Sequence, residues 1–312
     1  MIVYQAPAKG ARPTPVWASF ILLWTFWLIA NLATMPVMLL VMAPKLMNAQ
    51  KPGPADTGLI LLLTLYVMFV VFAACVLIWV KVYERRNFAS IGLIARHALW
   101  RYGRGLLWGA AFALVLAAIA ALGGHLLDET MSPAHAFSWA PLLRPVTVLV
   151  FAALILGLLV QSAAEEIICR GWILSTVAMG HGRAAAIVIS ALYFGSLHVH
   201  LLILGFLHGH PLAGVVAIVA ITLMGVMLAL YALGEGTIAG AAGMHGAFNA
   251  LVFGLTLALI IGTGKAADPL SALYSAFALS TRPQTLDPAS FVQGALALMV
   301  SLWLWWRLRR KT

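Results

Sequence analysis

Apolar residues run along this chain in stretches of about twenty, separated by short polar passages. Eight such stretches can be drawn, over residues 17–43, 58–82, 103–124, 144–172, 187–207, 211–232, 237–262 and 289–307. Roughly 20 residues of helix cross the hydrocarbon layer of a bilayer, so each stretch is long enough to span. The pattern predicts an all-α polytopic bundle of about eight membrane-spanning helices, with both termini on one side. Passages with proline at 44–54 and 266–288 read as connections, and neither an internal repeat nor a separate soluble domain is evident. Three regions follow: N-terminal transmembrane helices with a cytoplasmic amphipathic basic segment (1–142), a core of helices (143–262), and a loop with the last span (263–312).

Polar residues break the pattern at three places. From 143 to 179 the chain reads as one long helix, interrupted in hydropathy by Gln161, Glu165, Glu166 and Arg170. A charge at the centre of a membrane helix costs about 2.5–3.5 kcal/mol on insertion scales, so three within six residues need partners and a purpose. Glu166 and Arg170, four apart, can form an internal ion pair, which leaves Glu165 without a local partner. Gly180-His181-Gly182 is a turn signal, and the helix starting at Arg183 contains Phe194 and His198. Glu165 and His198 lie almost equally far from that turn, so an antiparallel hairpin sets them at one level. The third place is His245 with Asn249, on one face of a helix that opens with Ala239, Gly240, Ala241, Ala242 and Gly243. Small residues permit close approach in membranes, which would bring this face to the hairpin. If the helix enters near Thr237 from the cytoplasm, His245 lies about 12 Å in, and the three places agree on a site in the inner leaflet.

Glu165-Glu166-x-x-x-Arg170, Phe194-x-x-x-His198 and His245-x-x-x-Asn249, in that order on successive apolar segments, resemble the three motifs of the CPBP intramembrane proteases. That group contains the CAAX prenyl proteases of the Rce1 type and bacterial bacteriocin-processing or immunity proteins. The resemblance covers about 143–253, and makes 143–262 a CPBP-like catalytic core. Peptide hydrolysis needs an activated water, a donor set for the oxyanion and a proton for the leaving amine. Glu165 is read as general base, His198 as holding the water and passing the proton, and His245 and Asn249 as oxyanion donors. The resemblance assigns these roles in the same way, with the first glutamate catalytic. Glu166 and Arg170 support the site, and Phe194 reads as packing. Two cofactor readings stay open. One needs none; the other uses a divalent metal such as zinc, held by His198 and His245 with Glu165 as ligand or base.

Composition sharpens this picture at few points. With 63% hydrophobic and 9% charged residues, and a mean hydropathy of +1.01, a soluble core is excluded. The net charge of +10 comes from short clusters, not a basic domain, so nucleic acid is not an expected partner. With the N-terminus inside, five basic residues (Lys45, Lys51, Arg144, Lys265 and Arg282) fall outside and the other 14 of 19 inside, which favours cytoplasmic termini. Trp303, Trp305 and Trp306 beside Arg307 suit an interfacial anchor, and 84–104 suits an amphipathic basic anchor on the inner surface. Expected partners are the bilayer and a membrane-associated protein or peptide substrate. The compact chain suits a bacterial inner membrane. His200, His208 and His210 read as loop histidines, Glu235 as a solvated turn residue, and His125, Asp128, Glu129 and His135 as a solvated loop without metal-site spacing. The competing readings are an ion- or proton-coupled transporter and a non-catalytic immunity or scaffold protein.

Overall fold

A helix that is apolar on every side has no amphipathic face to direct its packing, so in this chain small residues and a few polar groups decide which helices meet. The computed structural model describes residues 3–127, 137–281 and 288–310, and the side chains of 3–119, 137–279 and 290–310. The side chains of His125, Asp128, Glu129, His135, Arg282 and Lys311 lie outside the described residues. In chain order the helices are α1 (Val16–Leu32), α2 (Met35–Met47), α3 (Pro54–Ile78), α4 (Ala98–Leu127), α5 (Pro145–Glu166), α6 (Leu174–Ser196), α7 (Val199–Leu207), α8 (Pro211–Glu235), α9 (Ala239–Gly262), α10 (Pro269–Thr281) and α11 (Pro288–Arg309). π-Helical turns extend α3 over Trp79–Tyr83 and join α5 to α6 over Ile167–Ile173. No strand occurs among the described residues, and the all-α polytopic bundle stands.

Among the described residues seven helical stretches, not eight, are long and apolar enough to span. The expected stretch 144–172 and the first part of 187–207 belong to one of them, Pro145–Ser196, of 52 residues. Straight, it would measure about 78 Å, far more than the hydrocarbon layer. It folds back at Gly182 (φ 81°, ψ 176°), a conformation that needs glycine. Across the fold, the Ser190 hydroxyl donates to the carbonyl of Cys169 at 2.9 Å. The rest of 187–207 is the nine-residue α7, set off from α6 by non-helical backbone at His198.

The passage 266–288, expected as a connection, contains α10. Asp268 starts it by accepting from the backbone N–H groups of Leu270 and Ser271, each at 2.9 Å, and from the Ser271 hydroxyl at 2.6 Å. Ala272, Leu273 and Ala276 then bury against Leu62 and Leu65 of α3 and Leu257, Ile260 and Ile261 of α9. With 13 residues α10 is too short to cross a bilayer, so hydropathy over a spanning window does not detect it.

Helices α4 and α9 approach closely. Gly105 and Gly109 form a small-xxx-small step on α4, and a methyl at either would overlap the carbonyl of Gly240 or Met244 on α9. Gly243 answers against the carbonyl of Tyr102. The glycines expected to bring α9 to the hairpin therefore pack against α4. The next face of α9 turns to α5, where Gly246 lies against Leu159.

The segment 84–104 divides. Ile94, Leu99 and Trp100 are exposed with Arg85 and Arg96, as an interfacial anchor would be. Glu84, Arg86, Ser90 and Ile91 are instead buried, with Arg86 paired to Glu84 at 3.1 Å, so Arg86 is not a surface anchor. Glu235 also departs from expectation. Its side chain is 5% exposed and ion-paired with Arg104, while its carbonyl accepts from Arg101 at 2.8 Å.

Candidate active site

α5 and α9 run antiparallel, and two polar rungs join them. Asn249 donates its amide N–H to Gln161 Oε1 at 2.9 Å and to Ser162 Oγ at 3.3 Å. About one turn along, His245 meets both glutamates, with Nδ1 3.0 Å from Glu166 Oε1 and Nε2 3.6 Å from Glu165 Oε2. Gln161 and Ser162 were not expected as site residues. Their signal is positional, since each lies four residues before a glutamate and shares its face.

Glu166 and Arg170 form the expected pair at 2.8 Å, with no solvent exposure. Arg170 also donates Nη2–H to the carbonyl of Gly225 on α8 at 3.1 Å, and its guanidinium lies 4.2 Å from the centroid of Phe194. Phe194 is the hub between motifs. Its ring stands edge-on to His245 at 5.5 Å and to His198 at 5.1 Å between centroids. Gly225 leaves room for it, because a methyl there would press on Phe194 and Ala191.

The structure brings Glu165, Glu166, Arg170, Phe194 and His245 together and joins Asn249 to them through α5. His198 contacts the group through Phe194, and no ion pair links it to Glu165, whose histidine partner is His245. Counting from the turn assumed regular α-helix, whereas Ile167–Ile173 is π-helical and shifts the register. The bond from Ser190 to Cys169 sets Phe194, not His198, at the level of Glu165.

Hydrogen bonding fixes the imidazoles. His198 Nδ1 lies 3.0 Å from the carbonyl of Phe194. A carbonyl only accepts, so Nδ1 carries the proton and Nε2 is free. Glu166 Oε1, already accepting from Arg170, likewise accepts from His245 Nδ1, which turns Nε2 toward Glu165. Glu165 Oε2, Glu166 Oε2 and Arg170 Nε are buried without hydrogen-bond partners. Unmatched polar atoms in one buried cluster mark a place built to engage something further.

The π turn is pinned from outside by Ser190 and Tyr4, which donate to the carbonyls of Cys169 and Arg170, and locally by Ser175, which bonds back to the carbonyl of Gly171 four residues earlier. Burial pushes the Tyr4 hydroxyl above its ordinary range, Glu166 adds to this and Arg170 opposes it, so Tyr4 stays a donor. Among the described residues no group of three or more His, Cys, Asp or Glu side chains is placed to hold a metal ion.

Residues 145–251 match a family model described as type II CAAX prenyl endopeptidase Rce1-like, which bears out the resemblance carried by the three motifs and supports a membrane protease. No curated protein and no solved structure matches the chain.

Proposed function

We propose, taking residues 145–251 as an Rce1-like domain, that this chain is an intramembrane endopeptidase that hydrolyses a peptide bond near the cytoplasmic membrane face with water activated by Glu165. The observation that carries the reading is the buried, unpartnered Glu165 Oε2 beside His245 Nε2 at 3.6 Å. An oxygen atom about 2.8 Å from both completes a triangle on that base, so one water can be held by the pair.

Glu165 takes a proton from this water as it attacks the carbonyl carbon of the peptide. With His245 protonated, the charges of Glu165 and Glu166 are balanced by Arg170 and His245, the balance a buried cluster requires. His245 Nε2–H then donates to the oxygen on which charge develops. Asn249, held by Gln161 and Ser162, keeps α9 in register with α5, and it serves as an oxyanion donor by exchanging its longer bond, to Ser162 at 3.3 Å, for the developing charge. As the peptide C–N bond breaks, the proton that Glu165 took from the water passes to the leaving amine by way of the free Nε2 of His198, so the amine departs protonated and Glu165 is again a carboxylate. Glu165, His245 and His198 supply this proton traffic themselves. The substrate is a membrane-associated protein or peptide, reached within the bilayer, and the chain sits in a bacterial inner membrane with both termini cytoplasmic.

The test uses the purified protein in proteoliposomes, a farnesylated peptide ending in a CAAX sequence, and comparative proteomics of cells carrying wild type or Glu165→Gln. Cleavage that disappears in Glu165→Gln and in His198→Ala, with both variants still inserted, is the expected result. A fully active Glu165→Gln protein, or ion flux without any cleavage, overturns the reading.

A further inference from the structure

The loop from Glu84 to Gly92 touches both halves of the site. Arg85 is exposed and left-handed at φ 54°, and this turn directs Glu84 and Arg86 inward on either side of it. The Arg86 N–H bonds the Val80 carbonyl, six residues back, at 2.9 Å, which closes the π-helical end of α3. A non-glycine residue keeps such a conformation only where its surroundings hold it.

Those surroundings are saturated. Arg86 donates Nε–H to Ser90 Oγ (3.2 Å), Nη1–H to Glu84 (3.1 Å) and Thr176 Oγ1 (2.9 Å), and Nη2–H to the Ser90 carbonyl (3.0 Å) and Ser175 Oγ (2.6 Å). Glu84 also accepts from the N–H and O–H of Thr14 (3.0 and 2.6 Å) and from the indole of Trp172 (3.0 Å). Trp172 belongs to the π turn that follows Glu165 and Glu166, and Ser175 and Thr176 come just after it. At the far end of the loop, the Gly92 carbonyl accepts from the Thr237 hydroxyl (2.8 Å) and the Ile238 N–H (3.1 Å), where α9 begins. Tyr4 lies against Gly92 and donates to the Arg170 carbonyl at 2.9 Å.

We infer that Glu84 and Arg86 are positioning residues for the proposed hydrolysis, holding the π turn behind Glu165 and the start of α9 to one frame so that Glu165 and His245 stay at their working separation. The inference rests on the protease reading for its purpose. Its physical basis is a contrast between two buried Glu–Arg pairs. In the pair at 84 and 86 every guanidinium N–H is used, whereas Glu165, Glu166 and Arg170 keep unmatched atoms. Buried groups with unmet hydrogen bonds relax unless their backbone is held, and the saturated pair supplies that restraint.

The experiment uses the full chain in proteoliposomes with Cys75→Ser, so that Cys169, fully buried in the π turn, is the one thiol. N-ethylmaleimide reports opening of the turn without any substrate, and the farnesylated CAAX peptide reports catalysis. We expect Arg86→Gln to raise the alkylation rate about tenfold and lower kcat about tenfold with KM within about twofold. Arg86→Lys should recover part of both, Tyr4→Phe should move both in the same direction, and Glu165→Gln should leave alkylation unchanged. Wild-type alkylation and wild-type kcat in Arg86→Gln and Tyr4→Phe overturn the inference. If Arg86→Gln fails to fold, Tyr4→Phe decides alone, since it removes one hydroxyl. If the wild type cleaves nothing, the protease reading fails, while alkylation still decides whether the loop holds the turn.

Discussion

At the scale of single residues, the two neighbouring glutamates do different work. Glu166 balances the fully buried Arg170 and orients His245, so Glu166→Gln leaves a guanidinium without its counter-charge. Breaking one side of a buried pair costs about 3–5 kcal/mol, so this variant should lose detergent thermal stability as well as activity. Glu165→Gln, which removes a carboxylate already lacking hydrogen bonds at Oε2, should lose activity and keep its melting temperature. Similar melting temperatures for the two variants would contradict this division. Phe194→Leu keeps the site apolar but forfeits contacts with Arg170, His198 and His245, each of them worth roughly 0.5–2 kcal/mol. A fall in kcat/KM of about tenfold or more is expected in the peptide assay. The pairing of Glu166 with Arg170 could be read from four-residue spacing alone. Glu84 and Arg86 could not, because their inward direction depends on a left-handed backbone at an arginine, which no local residue choice announces.

Between elements, the seam of α4 and α9 decides where His245 stands. Gly109→Val would drive a branched side chain into the Met244 carbonyl next to His245. Overpacking of this kind costs about 1–3 kcal/mol, and circular dichroism melts in detergent should show it. Gly103→Ala is the control, since open space surrounds that position and the helix gains about 0.5–1 kcal/mol of propensity there. The small residues at the start of α9 were visible in sequence, but apolar periodicity gave no indication that they mate with the glycines of α4. Helix positions were largely legible because the solvent demands long apolar runs. The level of His198 was misjudged because one π turn changes the count, and α10 was missed because a helix that does not span needs no such run.

For the whole molecule, one end of the bundle gathers the start of α4, the end of α8, the start of α9, the end of α11 and the N-terminal segment. Arg104 with Glu235, Gly92 with Thr237, Gly234 beside Leu308 and Thr14 with Glu84 tie that end together. Arg307, Arg309 and Arg310 lie over Trp303, Trp305 and Trp306 there, an arrangement suited to the headgroup layer. With this end cytoplasmic, a membrane-impermeant amine reagent should modify Lys9 in inside-out vesicles and Lys51 and Lys265 in right-side-out ones. The reverse result would invert the topology. The bond from Tyr4 to Arg170 spans 166 positions of chain, which gives it a meaning in time. At roughly 5–20 residues per second of synthesis, Tyr4 waits on the order of 10–30 s before its acceptor has been made. A half-translated chain thus cannot yet have the glutamates in place, and a membrane receiving this protein meets the completed glutamate–histidine cluster only after most of its helices are already inserted.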